Sequence, residues 1–272
     1  MQPLRNDVFP LIFGASSAIG AALLPLFSNY TAVSRTAPAD SRWWRGGLEV
    51  VPTAPAGTTH VLSLGPLDAF AAWLARHTLP PCVRQIVVLS STSVETKIAS
   101  VSRSESAMAR RLRDGESQVQ ALSAKNRVSF TLLRPTMLYG GEHHLVARLQ
   151  RLARRFAVYP LLVGPGDMAL RQPVHTSDVA TAVRLCIDQP LACDRRFVLA
   201  GAEHVPLREL FRRSALSVRP SALPIPTPTV VLAGAALRRL AQDQVFVCDA
   251  LCQLGFSPRE FEPDRASASL DG

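Results

Sequence analysis

The chain has 272 residues, 47% of them hydrophobic, which is enough to bury a full core as one large domain or as a domain with a smaller appendage. The net charge is +9, but the cations are arginines apart from Lys97 and Lys125, and they are spread along the chain with few aromatics between them, which argues against a nucleic-acid partner. No apolar run reaches the roughly 18 to 20 residues of a membrane span and no basic-then-apolar leader is seen, so the expectation is a cytoplasmic protein with no membrane partner.

In chain order, the first signal is an apolar run, Val8 to Phe13, that ends at Gly14. Six residues later Gly20 opens a second apolar run, Ala21 to Phe27. That is the pattern of a buried strand, a tight turn and a helix. In a dinucleotide-binding unit the bare amides of such a turn face a pyrophosphate. Gly14 would permit the turn, and Gly20 would let the helix pack closely. Ser17 stands at the middle position, where a third glycine is common. An ordinary strand-to-helix turn is the plain alternative.

The pattern then predicts a strand over 30–34, a short third strand over 48–51 and a fourth over 60–64. A helix follows over 67–77, a fifth strand over 84–91, a long helix over 107–124 and a sixth strand over 129–133. Apolar strands alternating with helices argue for a parallel sheet covered on both faces, of about seven strands. Past Pro135, Gly- and Pro-rich loops interrupt the rhythm, and a helix over 177–187 and a strand over 197–199 restore it. Pro220 to Pro228 reads as extended chain. The expected architecture is α/β, a Rossmann-like doubly wound sheet formed by residues 1–135 plus 173–200. Residues 136–172 plus 201–265 would form a smaller lobe over the carboxyl ends of the strands, where such sheets bind ligands. The five cysteines (Cys82, Cys186, Cys193, Cys248, Cys252) lack metal-ligand spacing and read as free thiols, so no metal is expected. Arg148, Arg151, Arg154 and Arg155 crowd one helix-like stretch; a solvated face and a contact for an anionic small ligand both fit them.

Five landmarks then agree in order and spacing: GASSAIG, VVLSSTSV, LLRPTMLYG, RQPVHTSDVATAV and LGFSPREF. Together they resemble the extended and atypical short-chain dehydrogenase/reductase superfamily, and more narrowly its nucleoside-diphosphate-sugar epimerase/dehydratase branch, from about Leu11 to Phe261. The resemblance implies that Gly14, Ser16, Ser17, Ala18, Ile19 and Gly20 form the pyrophosphate loop. It adds Leu64, Gly65, Leu89 and Ser90 at strand ends, and Arg134 and Pro135 of the RPxxxYG segment, as further cofactor contacts. Ser91 would hydrogen-bond the substrate's reacting oxygen, with Thr92 and His143 beside it. Arg171, four residues before His175, would anchor the diphosphate of a nucleotide-sugar or a similar anionic small molecule. Asp178 is equally a helix-start carboxylate. Monomer and homodimer both remain open.

The cofactor choice rests on the end of strand two. NAD-selective units place a carboxylate there to take the ribose hydroxyls. This chain has Ser34 and Arg35, with no acid before Asp40, which suits the 2′-phosphate of NADP over NAD.

One departure stands out. The superfamily's chemistry runs on a tyrosine with a lysine four residues later, and the residues four after Tyr30, Tyr139 and Tyr159 are Ser34, His143 and Val163. Anchored on Glu116, the two positions hold about Met108 and Leu112, and Glu95 stands where relatives often carry tyrosine. Three readings follow. The protein is an NADP-dependent oxidoreductase or epimerase with a substitute proton carrier drawn from Glu95, Tyr139 and His143. Or it binds the dinucleotide as a sensor without turnover. Or it is a scaffold on a relic fold.

Overall fold

The computed structural model describes residues 8–230 and 241–263. Of the two expected lobes, residues 1–7, 231–240 and 264–265 lie outside the described residues.

The chain opens with β1 (Pro10–Phe13), α1 (Ala18–Leu23), β2 (Thr31–Ser34), β3 (Trp43–Arg45), β4 (His60–Ser63) and α2 (Leu67–Arg76). It continues through β5 (Gln85–Leu89), the one-turn α3 (Ser93–Thr96), the long α4 (Arg103–Lys125) and β6 (Ser129–Pro135). Then come β7 (Met137–Tyr139), α5 (Leu145–Phe156), β8 (Val158–Val163), β9 (Leu170–Arg171), β10 (Pro173–His175) and α6 (Thr176–Asp188). Last are β11 (Arg195–Leu199), β12 (Val205–Pro206), α7 (Leu207–Leu216), β13 (Leu223–Pro228) and a short helix, Asp249–Cys252.

Seven strands make one parallel sheet in the order β11-β6-β5-β4-β1-β2-β3. Strand alternation divides its apolar residues between two cores. Ile12, Ala32, Leu62 and Val87 face α1 and α6, where Leu23, Val179 and Val183 meet them. Leu11, Phe13, Val33, Val61, Ile86 and Val88 face α2 and α4, against Phe70, Trp73 and Val119. The fold class is the doubly wound α/β sheet that the sequence predicts, and the strand near Phe197 returns to it beside β6.

Three differences from the sequence reading have local causes. The first helix stops at Leu23 and tightens into a 3-10 turn over Leu24–Leu26, because Pro25 has no N–H and its ring crowds the carbonyl one turn earlier. The third strand is Trp43–Arg45 and not 48–51. Leu48 and Val51 are buried, but in a turn, where the Val51 carbonyl accepts from Trp73 Nε1 at 3.2 Å. The long helix begins four residues early at Arg103, where the Ser102 hydroxyl caps Glu105 N.

Beside the main sheet lie three two-stranded pairs, β7 with β10, β9 with β12 and β8 with β13, and the helices α5 and α7. A third apolar cluster, with Tyr139, Leu149, Leu162, Leu210 and Phe261, holds them together. In β13 the residues Pro224, Pro226 and Pro228 alternate with Leu223, Ile225 and Thr227, and Leu223 N donates to the Ala157 carbonyl at 2.8 Å. The prolines therefore fall on the outward edge, which cannot donate to a further strand.

Candidate functional site

The carboxyl ends of β1, β2, β4, β5 and β6 lie side by side, and most of the expected site residues lie on the turns that leave them.

The glycine turn comes first. Gly14 has φ +77°, open to glycine at little strain, and a Cβ there would meet Gly65 N and Leu64 at 3.3 Å. The β1 and β4 turns therefore touch. Gly65 faces nothing within 4 Å at its Cβ position, so space opens directly above them. Gly20 is confined on its other side: a Cβ would lie 2.2 Å from the Ala15 carbonyl oxygen. Ser17 has φ −71°, which any residue adopts, so no third glycine is required. Its hydroxyl caps α1 by accepting from Gly20 N at 3.1 Å, and its own O–H stays free to donate.

At the end of β2 four side chains meet or adjoin. Ser34 Oγ donates to Ser16 Oγ at 2.7 Å and accepts from Thr36 N at 3.1 Å, with Thr36 Oγ1 at 3.2 Å. Arg35 is exposed and makes no ion pair with a described residue. Asp40, the first acid after the strand, is taken up by Arg42 at 2.9 Å, and that contact holds its carboxyl below the ordinary carboxylate range. It therefore does not stand in for the missing ribose acceptor.

The turn after β5 is braced by a buried ion network. Glu116 on α4, 3% exposed, accepts from Arg134 Nε at 2.9 Å and Nη2 at 2.5 Å, and from Ser90 Oγ at 2.6 Å. Arg134 Nη1 reaches Glu95 at 2.5 Å, and the doubled contact with Glu116 raises the guanidinium pKa above its ordinary value. Ser90 and Arg134, expected to touch the cofactor, thus fix the register of α4 against β5 and β6. The same register leaves Met108 and Leu112 on α4, two turns and one turn before Glu116. Ser91 Oγ accepts from Ser93 N at 3.1 Å and keeps its O–H available. Thr92 is buried and bonds through both N and Oγ1 to the Pro135 carbonyl, and Leu89 belongs to the core under the sheet.

Three expected site residues have partners within the chain. Glu95 is not an unengaged proton carrier, since Arg134 holds its carboxylate. Tyr139 is fully buried, packed edge-on against His175 and Phe261, with its hydroxyl donating to the Glu260 carbonyl at 3.3 Å. Arg171 is 4% exposed and its Nη1 donates to the carbonyls of Leu170 and Gln242, so it braces β9 against the later chain and is not a solvent-facing anchor. Asp178 starts α6 and takes Arg259 at 3.0 Å.

Sequence reasoning passed over three groups. His143 is exposed, but its neighbour His144 is half-buried at the start of α5. A Cβ on Gly141 would meet the His144 ring at 2.8 Å and Ala18 at 3.1 Å, so this loop lies across the first residue of α1. Burial, with His143 and His175 adding to it, pushes the His144 pKa down, and its Nδ1 is buried without a hydrogen-bond partner among the described residues. Arg45 is the second: it ends β3 opposite Ser34, a pairing hidden while the third strand was placed at 48–51. Thr36 could have been read from its spacing of two from Ser34, the interval of a hydroxyl turn.

No family model matches the chain. The UDP-glucose 4-epimerase of Vibrio cholerae is 27% identical over 116 residues, 42% of this chain and 35% of that protein, so the match spans about a third of the relative's length. Among solved structures, UDP-glucose 4-epimerase of Thermotoga maritima with UDP-glucose superposes with a TM-score of 0.65 at 13% identity, covering 92% of this chain and 94% of that one. The dTDP-glucose 4,6-dehydratase DesIV of Streptomyces venezuelae, with NAD bound, gives 0.68 at 12% identity over 93% of each chain. A short-chain dehydrogenase/reductase superfamily protein of Agrobacterium tumefaciens, with bound NAD, gives 0.66 at 14% over 94% of each. The motif resemblance and these superpositions agree: the chain has the Rossmann-type fold of the short-chain dehydrogenase/reductase proteins, in the form seen in nucleotide-sugar epimerases and dehydratases.

Proposed function

We propose that this protein binds NADP across the carboxyl ends of β1, β2 and β4, and that the adjoining space takes a nucleotide-linked sugar or a similar anionic small molecule. The observation that carries the reading is the fit of the turns to a dinucleotide. Gly14 and Gly20 bring the β1 turn and α1 as close as backbone allows, while the Gly65 side stays open. Ser17 offers its O–H to the pyrophosphate, and Ser16, Ser34 and Arg35 gather at the adenine ribose. A guanidinium with no partnering carboxylate favours a ribose bearing a 2′-phosphate. The solved relatives with NAD bound speak for a dinucleotide there, and the end of β2 is where this chain argues for its own choice.

If bound, the nicotinamide would supply hydride transfer. The chain's own part would be to hold the ligand and move a proton. Ser91 has an O–H to offer to a reacting oxygen. Proton transfer lacks its ordinary carrier, since Met108 and Leu112 carry no titratable group, and of the three substitutes Glu95 and Tyr139 are engaged elsewhere while His143 is exposed. Those same facts favour a second reading, a dinucleotide-binding sensor without turnover. The two are separated by incubating the protein with NADP or NAD and a panel of nucleotide sugars, following absorbance of the reduced nicotinamide and the sugar products. Product formed over many cycles supports an epimerase, dehydratase or reductase. Binding of dinucleotide with no product over hours supports the sensor. Failure to bind either dinucleotide contradicts both.

A further inference from the structure

The end of β2 is matched by an arginine that the reading above does not use. Arg45 closes β3 directly opposite Ser34. Paired residues of adjacent parallel strands project to the same face of a sheet. The preceding pair, two residues back, fixes which face: Ala32 and Trp43 belong to the core on the α1 side. Arg45 therefore stands on the face where Ser34 meets Ser16. It is exposed, and its guanidinium makes no hydrogen bond or ion pair with a described residue. Arg42, the residue before β3, shows the contrast, being held by Asp40 and lying 4.8 Å over the Tyr30 ring. The next carboxylate, Glu49, is folded back over Gly47. β3 is the last strand of the sheet, so no further strand limits where the Arg45 side chain can reach.

We propose that Arg45 is the second arm of a clamp for a ribose 2′-phosphate. Arg35 on the β2 turn is the first arm, and the exposed hydroxyls of Ser16 and Thr36, set by the buried Ser34 behind them, form the floor. The proposal rests on the reading that an adenine dinucleotide occupies this crevice. A phosphomonoester offers three acceptor oxygens and nearly two charges, enough for two guanidinium forks and a hydroxyl at once. One arm comes from the turn and the other from a neighbouring strand, so the phosphate would be gripped from two directions.

The test is a set of titrations on wild type, Arg45→Ala and Arg45→Lys with NADPH, NADH, adenosine 2′,5′-bisphosphate and 5′-AMP at low and high salt. Arg45→Ala is expected to weaken NADPH and the bisphosphate about tenfold, as for a charge-assisted contact, and to leave NADH and AMP unchanged. Arg45→Lys should recover part of the loss, because it restores the charge but not the fork. The difference should shrink at high salt. Unchanged NADPH affinity in Arg45→Ala, with NADPH still preferred over NADH, overturns the clamp and leaves the dinucleotide reading standing. Equal weakening of NADPH and NADH also overturns it. Wild type that binds none of the four probes overturns both.

Discussion

Replacing Gly20 by alanine adds one methyl group, and the structure says where that methyl must go. Its carbon would lie 2.2 Å from the Ala15 carbonyl oxygen, 2.5 Å from the carbonyl carbon and 2.7 Å from Cα. All three are backbone atoms, so no flexible side chain can swing aside. In an unobstructed helix the change from glycine to alanine would stabilise by about 1 kcal/mol. Overpacking against fixed atoms costs about 1–3 kcal/mol and here reverses the sign. Relief requires moving the Gly14–Ser17 turn, which is held by Ala15 N to Val33 O at 3.3 Å and Ser17 N to Gly14 O at 3.0 Å. The turn is also the surface offered to the pyrophosphate. We expect a melting temperature lower by several degrees, at roughly 2–4 °C per kcal/mol for a chain of this size. NADPH affinity should fall at least about tenfold, or 1.4 kcal/mol. Gly65→Ala is the control, since its added carbon meets nothing within 4 Å. It should melt as wild type does and weaken NADPH only through the space the ligand needs. Gly20→Ala with unchanged melting and unchanged NADPH affinity would refute the reasoning.

Glu116→Gln should destabilise by about 1–3 kcal/mol in urea unfolding, because it removes the buried counter-charge of Arg134 and leaves the guanidinium only the half-exposed Glu95; a change below about 0.5 kcal/mol, the size of an ordinary surface substitution, would mean that the network is ornamental. Tyr139→Phe should cost about 1 kcal/mol of stability, the worth of the bond to Glu260, and leave NADPH affinity and any turnover untouched. Lost turnover with normal binding would restore Tyr139 as the proton carrier. Burial holds the His144 pKa below its ordinary 6.5, so below that pH the unfolded chain takes up a proton that the folded one resists. Stability should therefore decline as pH falls through this region, and His144→Phe should flatten the decline; an unaltered pH profile would place the titration elsewhere.

The sheet was legible because its strands are buried on both faces and so read as short, almost wholly apolar runs. The glycine turn was legible for a similar reason, since Gly14 and Gly20 each answer a backbone requirement that few other residues meet. What escaped was set by register. Leu48 to Val51 is as apolar as a strand, yet it packs as a turn, while Trp43–Arg45, with only its two tryptophans packed on the cores, is the stretch that pairs with β2. With the strand misplaced, Arg45 could not be set beside Ser34. The partners of Glu95, Tyr139 and Arg171 were not legible, because a residue's type does not reveal them. Arg134, the Glu260 carbonyl and the Gln242 carbonyl lie 39, 121 and 71 positions away in the chain.

The central claim is that an adenine dinucleotide, with its 2′-phosphate, is what the β1, β2 and β4 turns hold. It is tested most directly by calorimetric titration of the wild-type protein with NADPH and with NADH at low salt. The account predicts one site, with NADPH bound roughly ten- to a hundredfold more tightly, the worth of about 1.5 to 3 kcal/mol from a hydrogen bond to a charged group. Heat from neither titration would contradict the dinucleotide site, and NADH bound as tightly as NADPH would contradict the assignment of the 2′-phosphate to Ser34 and Arg35.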